Sequence, residues 1–197
     1  MARTVAAFDF DGTISKRDTV MPFLARVVGW PRVLTVALTD APRLALLAIG
    51  RGDRDAAKER MLVKCLGGLR RDVVAREGNA YATEVFERKL RRDIVETLER
   101  HRRDGHEVVL VSASLDVYLD EIGRDLGVNA VLCTRLEADA QGRITGRMLG
   151  GNCRGANKVT RLREYLGEDS DELTLYAYGN SSGDDDLLAL ADHPVRV

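Results

Sequence analysis

The segment Thr4-Val-Ala-Ala-Phe-Asp-Phe-Asp-Gly-Thr13 decides the fold that we predict for this chain. Its first half is short and apolar, and it ends abruptly at Asp-Gly, a pattern typical of a buried strand that enters a tight turn. Further along the chain, apolar stretches of strand length alternate with amphipathic stretches of helix length. This alternation predicts an α/β fold with a doubly wound, mostly parallel sheet, whose first strand is formed by residues 4–10.

The later elements follow from the same patterns, with a glycine marking the end of each helix. We expect strands at residues 106–112, 128–134 and 173–178, after helices that end at Gly105, Gly127 and Gly167. Residues 136–148 predict a β-hairpin that projects from the core. A further strand begins at Pro194 as the chain stops, so we expect the natural protein to continue beyond Val197.

Residues 18–89 have a different pattern from the rest of the chain. They show no strand-like alternation, and Ala, Leu, Arg and Glu dominate, with Gly or Pro near positions 29–31, 42, 50–52 and 67–68. We interpret this segment as four helical pieces that form a cap inserted after the first strand. Residues 1–17 and 90–197 then form the α/β core.

The composition limits the class of protein. The 197 residues include 30 Lys or Arg and 31 Asp or Glu, and 45% of them are hydrophobic, which is enough for one well-buried core. These values exclude a disordered polyelectrolyte and a generally basic nucleic-acid binder, so we expect no nucleic-acid partner. The cysteines, Cys65, Cys133 and Cys153, fit neither a disulfide framework nor a zinc site and favour a cytoplasmic location.

The most apolar segment, residues 20–49, raises the question of a membrane. It contains charged residues together with Pro31 and Pro42, which interrupt the roughly 20 continuous apolar residues that a bilayer requires. The chain also reaches Asp9 and Asp11 before a long apolar stretch can form at its start. We therefore expect neither a membrane span nor a secretory signal, while contact with a membrane surface stays open.

Polar residues that can carry chemistry follow the predicted strands. The first strand ends at Asp9 and Asp11, the second ends at Ser112, and the last ends at residues 179–186, with Lys158 near the start of a helix. Because ligands bind beyond the carboxyl ends of the strands in such sheets, we expect these residues to converge. Two carboxylates can act as a nucleophile and as a proton donor, and an oxygen-rich site suits Mg²⁺. The set as a whole fits phosphoryl transfer.

These residues resemble the signature of the haloacid dehalogenase-like (HAD) phosphohydrolases, in order and along essentially the whole chain. The Asp-x-Asp-Gly-Thr motif is present at residues 9–13, the Ser or Thr of the second strand is Ser112, and the lysine is Lys158. The Gly-Asp-x-x-x-Asp motif is present in altered form as Gly179-Asn-Ser-Ser-Gly-Asp184. The helical insertion is similar to the cap of the phosphoserine-phosphatase-like branch, subfamily IB.

The resemblance implies an enzyme, a Mg²⁺-dependent phosphatase that hydrolyses a small phosphorylated metabolite through an aspartyl-phosphate. Asp9 would attack phosphorus, and Asp11 would protonate the leaving oxygen and then activate water. Lys158 would offset the charge of the phosphate. The phosphate oxygens would be held by Ser112 with Gly12, Thr13 and Ala113.

The resemblance also implies a Mg²⁺ site that departs from the family pattern. The ligands would be the Asp9 carboxylate, the Asp11 backbone carbonyl and the fourth motif. Asn180 stands where the family often has an aspartate, so weaker affinity for the metal is the expected direction. Asp184 is the first choice for the remaining acidic contribution, partly through water, and Asp185 is the second choice.

The substrate depends on residues in the predicted cap. Asp18 lies where phosphoserine phosphatases place an acidic residue that binds the ammonium group of the substrate, although it is equally suited to be a helix N-cap. Arg60 would match their carboxylate-binding arginine. Both favour phosphoserine or a similar amine. The apolar residues 20–49 instead resemble the HAD-type bacterial phosphatidylglycerophosphate phosphatases and favour a lipid phosphate.

Several of these residues also fit purely structural roles, and two other functions of the protein stay open. Ser112 and Ser114 are each suited to cap the helix that follows, and Asp184–Asp186 suit a helix N-terminus. Asn180 is compatible with a catalytically weak phosphate-binding or regulatory module. An Asp-x-Asp site of the glycosyltransferase type accounts for the carboxylates but leaves Ser112 and Lys158 unexplained.

Overall fold

A computed structural model describes residues 3–49, 51–167 and 173–197 of the chain. Its described residues form one sheet of six strands, in the order β4-β3-β2-β1-β5-β6. All neighbouring strands are parallel except β3 and β4, which are antiparallel. The predicted mostly parallel α/β fold is therefore confirmed. The strands are β1 (Thr4–Phe8), β2 (Glu107–Leu115), β3 (Ala130–Ala138), β4 (Ile144–Leu149), β5 (Thr174–Gly179) and β6 (His193–Arg196).

Helices cover both faces of this sheet and form the segment after β1. The cap region contains five described helices, whereas the sequence analysis predicted four. The four predicted Gly or Pro interruptions lie close to the observed helix ends, and four interruptions separate five helices. The helices are α1 (Val20–Val28), α2 (Trp30–Thr39), α3 (Ala41–Ala48), α4 (Arg54–Leu66), α5 (Arg71–Arg88), α6 (Arg92–Arg103), α7 (Asp116–Leu126), α8 (Ala156–Leu166) and α9 (Asp185–Leu190).

Strand β1 is buried on both faces, as its continuous apolar run predicts. Ala6 and Phe8 pack into the larger core cluster, which the sheet shares with the helices of one face. Val5 and Ala7 pack into a second cluster on the other face. Since β1 lies in the middle of the sheet, the residue that follows Phe8 is held at the centre of the carboxyl edge.

Strand β2 continues past Ser112, where the predicted strand ends, to Leu115. Its register against β3 shifts between Ser112 and Leu115, so the strand continues irregularly to the start of α7. Leu115 occupies the N-cap position of α7, so neither Ser112 nor Ser114 is the cap. The side chains of both serines are therefore available to face the carboxyl edge of the sheet.

No single helix among the described residues has both the length and the apolar character needed to cross a membrane. Helices α1 and α2 meet these criteria only when taken together, and they are bent by 115° at the break between them. Cys65, Cys133 and Cys153 are buried free thiols.

The close packing of α5 on α7 requires a glycine. A Cβ atom at Gly78 would lie 1.9 Å from the carbonyl oxygen of Val117 and 2.7 Å from its carbonyl carbon. Both atoms belong to the backbone of α7, so they cannot rotate away as the end of a side chain would. The absence of a side chain at position 78 therefore sets the distance between the two helices.

We expect Gly78→Ala to destabilise the protein by about 1–3 kcal/mol, because the added methyl group forces α5 and α7 apart. This loss would occur although alanine favours a helix over glycine by about 1 kcal/mol. The free energy of unfolding in urea measures the effect. Asn79→Ala, at an exposed position one residue further along α5, is the control and should change stability by no more than about 0.5 kcal/mol. Equal stability of both variants would contradict the close approach.

Candidate active site

The turn after β1 places two carboxylates at the carboxyl edge of the sheet. The backbone N–H of Asp9 still donates to the Tyr178 carbonyl in β5, at 2.9 Å. The chain then makes a single turn in which Gly12 has a φ of 79°. A Cβ at Gly12 would also lie 2.0 Å from Nδ2 of Asn180, so a side chain here would displace that amide. The positive φ is the main reason for glycine in the Asp-Gly step, because other residues rarely adopt it.

Lys158 connects Asp9 to Asp184 at the base of the site. Its Nζ donates to Oδ1 of Asp9 and to Oδ1 of Asp184, each at 2.6 Å. All three side chains are buried. The second oxygen of Asp9 accepts from the Thr13 hydroxyl at 3.1 Å. The structure thus brings together residues from the first motif, the start of α8 and the loop after β5, which lie far apart in the sequence.

The charges of these three groups depend on one another. Burial raises the pKa of Asp9, and Asp184 adds to this effect, while the Lys158 ammonium opposes it. Burial disfavours the ammonium of Lys158, but the attraction of the two carboxylates is larger and raises its pKa. Burial also opposes the carboxylate of Asp184, but Lys158 and the hydrogen bonds from Ser181 lower its pKa. Asp184 is therefore the firmly ionised partner of the lysine.

Asp11 has a different environment, although it is only two residues from Asp9. Its Oδ1 accepts from the backbone N–H of Thr19 at 3.0 Å and from the Thr19 hydroxyl at 2.6 Å. Its Oδ2 accepts from the Ser114 hydroxyl at 2.8 Å. Burial, with a further contribution from the negative charge of Asp18, raises the pKa of Asp11 to about 7. Asp11 can therefore exchange a proton near neutral pH.

A cavity of about 380 Å³ opens above these residues. Asp9, Asp11, Ser112, Lys158 and Asp184 line it from the core side. The opposite wall consists mostly of apolar side chains from α1 and α4, namely Val20, Met21, Leu24, Ala57, Met61 and Leu62. The cavity thus combines a charged floor with an apolar roof.

Of the remaining predicted substrate-binding residues, Ala113 and Asp18 line the cavity and Gly12 and Thr13 do not. Ala113 lines the cavity, and so does Asp18, whose Oδ2 also accepts from the backbone N–H of Met21 at 3.0 Å. Asp18 therefore faces the cavity and stabilises the start of α1 at the same time. Gly12 and Thr13 contact Asn180 and Asp9 but do not line the cavity.

Arg60 lies outside the cavity, so its assignment to substrate binding is corrected. Its Nε donates to Oδ2 of the buried Asp40 at 3.0 Å. Arg54 and Lys58, from the same helix, line the cavity instead. Residues four apart share a helix face, whereas position 60 is rotated away from both. Asp185, the second choice for metal binding, is also outside, because it pairs with Arg196 on the surface.

Lys58 is a site residue that the sequence analysis missed. Its ammonium donates to the carbonyl of Ala113 and to Oδ1 of Asn152, the latter at 2.8 Å. Asn152 in turn donates to Asp55 of α4 at 2.7 Å. Burial lowers the pKa of Lys58 to about 8, against the attraction of Asp11 and Asp55. These bonds fasten α4 to the end of β2 and to the loop before α8. No motif or spacing in the sequence distinguishes Lys58 from the many other cations.

The side-chain oxygen of Asn180 is the feature of this site that indicates a bound cation. Its Oδ1 is buried and has no hydrogen-bond partner within the described part of the chain. A buried carbonyl-type oxygen without a donor is costly, and oxygens of this kind are ligands for Mg²⁺. No three His, Cys, Asp or Glu side chains of the described residues form a metal cluster, so a cation here requires amide or backbone oxygens as well. The donor set of Asp9, Asn180 and the Asp11 carbonyl fits such a cation.

The pKa of Asp11 leads to a prediction about stability in the metal-free protein. The folded state retains a proton on Asp11 up to about pH 7, whereas the unfolded chain releases it near pH 4. The contribution of this group to stability is therefore complete below about pH 4 and is lost as the pH rises through 7. Asp11→Asn removes this loss, so the variant should gain stability relative to the parent between pH 5 and 8.

Thermal unfolding in the presence of a chelator measures this difference. The melting temperature of Asp11→Asn minus that of the parent should increase from pH 5 to about pH 7 and level off toward pH 8. A constant difference from pH 5 to 8 would show that Asp11 titrates at an ordinary pKa. Asp185→Asn, which changes an exposed aspartate, is the matched control and should give a constant difference.

Comparisons with known proteins agree with this architecture. The chain is 37% identical over 190 residues to the protein CicA of Caulobacter vibrioides, covering 95% of this chain and 83% of that protein. A crystal structure of a protein of unknown function from Bordetella pertussis Tohama I superposes with a TM-score of 0.85 at 24% identity, covering 100% and 90% of the two chains. A substrate-bound phosphoserine phosphatase superposes with a TM-score of 0.63 at 18% identity, covering 97% and 84%. The two structures show the shared fold.

The family model of the haloacid dehalogenase-like hydrolases matches residues 6–189. This range includes the turn after β1, Ser112, Lys158 and the loop after β5, which meet in one cavity. The chain therefore belongs to the haloacid dehalogenase-like hydrolases and is an enzyme of that family.

Proposed function

We propose that this hydrolase is a Mg²⁺-dependent phosphatase that acts on a small phosphomonoester through an aspartyl-phosphate intermediate, in the manner of phosphoserine phosphatases. The observation that supports this proposal is the pairing of two carboxylates with different environments at one edge of the sheet. Asp9 is held by Lys158 at 2.6 Å, and Asp11 faces the same cavity with a pKa near 7. One carboxylate suits nucleophilic attack and the other suits proton transfer.

The proposed reaction has two steps that use these groups in turn. The Asp9 carboxylate forms a bond to phosphorus while the ester bond breaks, and Asp11 gives its proton to the leaving oxygen. The Asp11 carboxylate then takes a proton from water, which attacks phosphorus, breaks the bond to Asp9 and releases phosphate. Because the pKa of Asp11 lies near neutral pH, both directions of proton transfer are accessible there.

Lys158 and Ser112 position the phosphoryl group in this mechanism. Lys158 supplies a fixed positive charge next to the nucleophile, and the Ser112 hydroxyl lines the cavity on the β2 side. Ser112 also accepts from the backbone N–H of Ser114 at 3.1 Å, which keeps its own proton free to donate to a phosphate oxygen. Such prearranged donors stabilise charge without reorganisation during the reaction.

Asp9, the carbonyl of Asp11 and Asn180 would hold Mg²⁺. Both oxygens of Asp184 already accept hydrogen bonds, from Lys158 and from the residues at 180 and 181, so its contribution would be made through water. When bound, Mg²⁺ supplies positive charge that offsets the charge of the phosphoryl oxygens.

The cavity wall supports two substrate classes. Asp18 and Arg54 place one negative and one positive charge on it, which suits a zwitterionic phosphomonoester such as phosphoserine. Arg54 thus takes the part that the sequence suggested for Arg60. The apolar roof from α1 and α4 favours the second candidate, a lipid phosphate, because it can bury an acyl or other apolar group.

Hydrolysis of an aryl phosphate tests the proposed reaction. We expect release of the phenol to require Mg²⁺ and to be abolished by a chelator. Asp9→Asn should lower kcat by about 10³-fold or more, since the nucleophile is lost. Asp185→Asn is the matched control because it changes an exposed aspartate outside the cavity, and it should retain full activity.

Full activity of Asp9→Asn would refute the nucleophile assignment. Mass spectrometry of the parent protein trapped at low pH with substrate provides a second readout. It should detect one added phosphoryl group on the peptide that contains Asp9, and Asp9→Asn should lack this group.

A pair of arginine variants tests the substrate class. With phosphoserine as substrate, Arg54→Met should raise KM by roughly 10–100-fold, since an interaction of a charged group in the site is worth about 1.5–3 kcal/mol. Arg60→Met should leave KM unchanged, because Arg60 faces Asp40 outside the cavity. Turnover of lysophosphatidic acid without turnover of phosphoserine would favour the lipid candidate instead.

A further inference from the structure

One face of α2 is apolar and exposed. Trp30, Leu34 and Leu38 follow one another at intervals of one helical turn and are 53%, 57% and 74% exposed. On the opposite face, Val33 and Val36 are buried against the other helices of the segment. We call the exposed residues Trp30, Leu34 and Leu38 the outer cap face. Apolar side chains aligned in this way on a surface mark an interaction site.

The charge around this face is positive, although the whole chain has a net charge of -1. Residues 19–54 contain five arginines and two aspartates. Both aspartates are engaged within the fold. Asp40 is buried between Arg60 and Lys64, and Asp53 accepts from the first backbone N–H groups of α4. Arg26 is paired with Glu77 and Glu84, and Arg54 lines the cavity, so neither adds to the charge at this face. The positive charge beside it comes from the exposed Arg32 and from Arg43, Arg60 and Lys64, three cations that share the single carboxylate of Asp40.

We propose that the outer cap face docks the protein on an anionic lipid surface. Apolar side chains can enter the boundary between headgroups and acyl chains while the neighbouring arginines pair with anionic headgroups. Tryptophan is favoured at this boundary, because its ring is apolar and its N–H is polar. This inference goes beyond the proposed function and concerns binding alone.

A second copy of the chain is a poorer fit to the same face. A symmetric dimer places identical patches against each other, so the arginines of one copy would face those of the other. Like charges at an interface are repulsive and weaken association. An anionic surface has the complementary charge and avoids this cost.

The position of the face in the chain connects it to the cavity. Helix α1, which leads into α2 at Gly29, carries Val20, Met21 and Leu24 of the cavity wall. Helix α4, whose first turns carry Arg54 and Lys58 of the same wall, packs against α2. Docking through α2 would therefore place a lipid surface against the helix whose neighbours, α1 and α4, form the wall of the cavity.

Trp30 is the only tryptophan of the chain, so its fluorescence reports on this face alone. The test compares vesicles of phosphatidylcholine with vesicles in which part of the lipid is phosphatidylglycerol. We expect the anionic vesicles to sediment the protein and to shift the emission of Trp30 to shorter wavelength. Added salt should weaken this binding, since its electrostatic part is screened.

Variants locate the binding. The double variant Leu34→Glu, Leu38→Glu should lower the affinity for anionic vesicles by roughly 100-fold or more, because it removes buried apolar area and adds repulsive charge. Both positions are exposed, so the fold is retained. Leu149→Glu is the matched control. It changes a leucine that is 50% exposed on β4, and it should bind vesicles as the parent does.

Three results would overturn the proposal. These are absence of binding to either vesicle, equal binding to neutral and anionic vesicles, and a concentration-dependent shift of Trp30 emission without lipid, which would indicate a second copy. Asp9→Asn separates this proposal from the phosphatase proposal, because a variant without activity should still bind anionic vesicles.

Discussion

The site depends on one buried ammonium group, Lys158, held between Asp9 and Asp184 at 2.6 Å from each. Removing charged groups from water costs several kcal/mol per ion, and close opposite charges must offset that cost. The positions of the three residues are 149 and 26 apart along the chain. Loss of the lysine would leave two buried carboxylates without a counter-ion. The same contact therefore holds the β1 turn, α8 and the β5 loop together and offsets the cost of burying the Asp9 carboxylate, the proposed nucleophile.

The two carboxylates of the first motif differ because their surroundings differ. Asp9 is tied to a permanent cation, whereas Asp11 meets only hydroxyl and backbone donors and lies near the negative charge of Asp18. Hydroxyl groups can donate to a carboxylate or accept from a protonated acid, so they allow Asp11 to change its charge. The Lys158 ammonium cannot accept, so it favours a carboxylate at Asp9. Two residues apart, the two carboxylates thus have different preferred charges, an arrangement also found in other enzymes with paired acids in unequal environments.

The sequence predicted the site residues of the α/β core better than those of the helical segment. Asp9, Lys158 and Asp184 converge because parallel strands end at one edge of a sheet, which is a rule of topology. The choice between Arg54 and Arg60 depends instead on which face of α4 turns inward, and packing against α1 and β4 decides this. Lys58 could not be predicted for the same reason, because its partners, Ala113 in β2 and Asn152 in the loop before α8, are distant from it in sequence. Local periodicity contains no information on such contacts.

Asn180 is consistent with the charge balance of the metal-free site. Asp9, Asp184 and Lys158 together already carry one more negative than positive charge when all are ionised. An aspartate at position 180 would add another buried negative charge beside Asp184, whose Oδ2 accepts from the backbone N–H of residue 180 at 3.2 Å. Like charges so close to each other raise the cost of the folded state without a cation. In the proposed Mg²⁺ site, the amide keeps an oxygen that can bind the cation and avoids this cost in the metal-free fold.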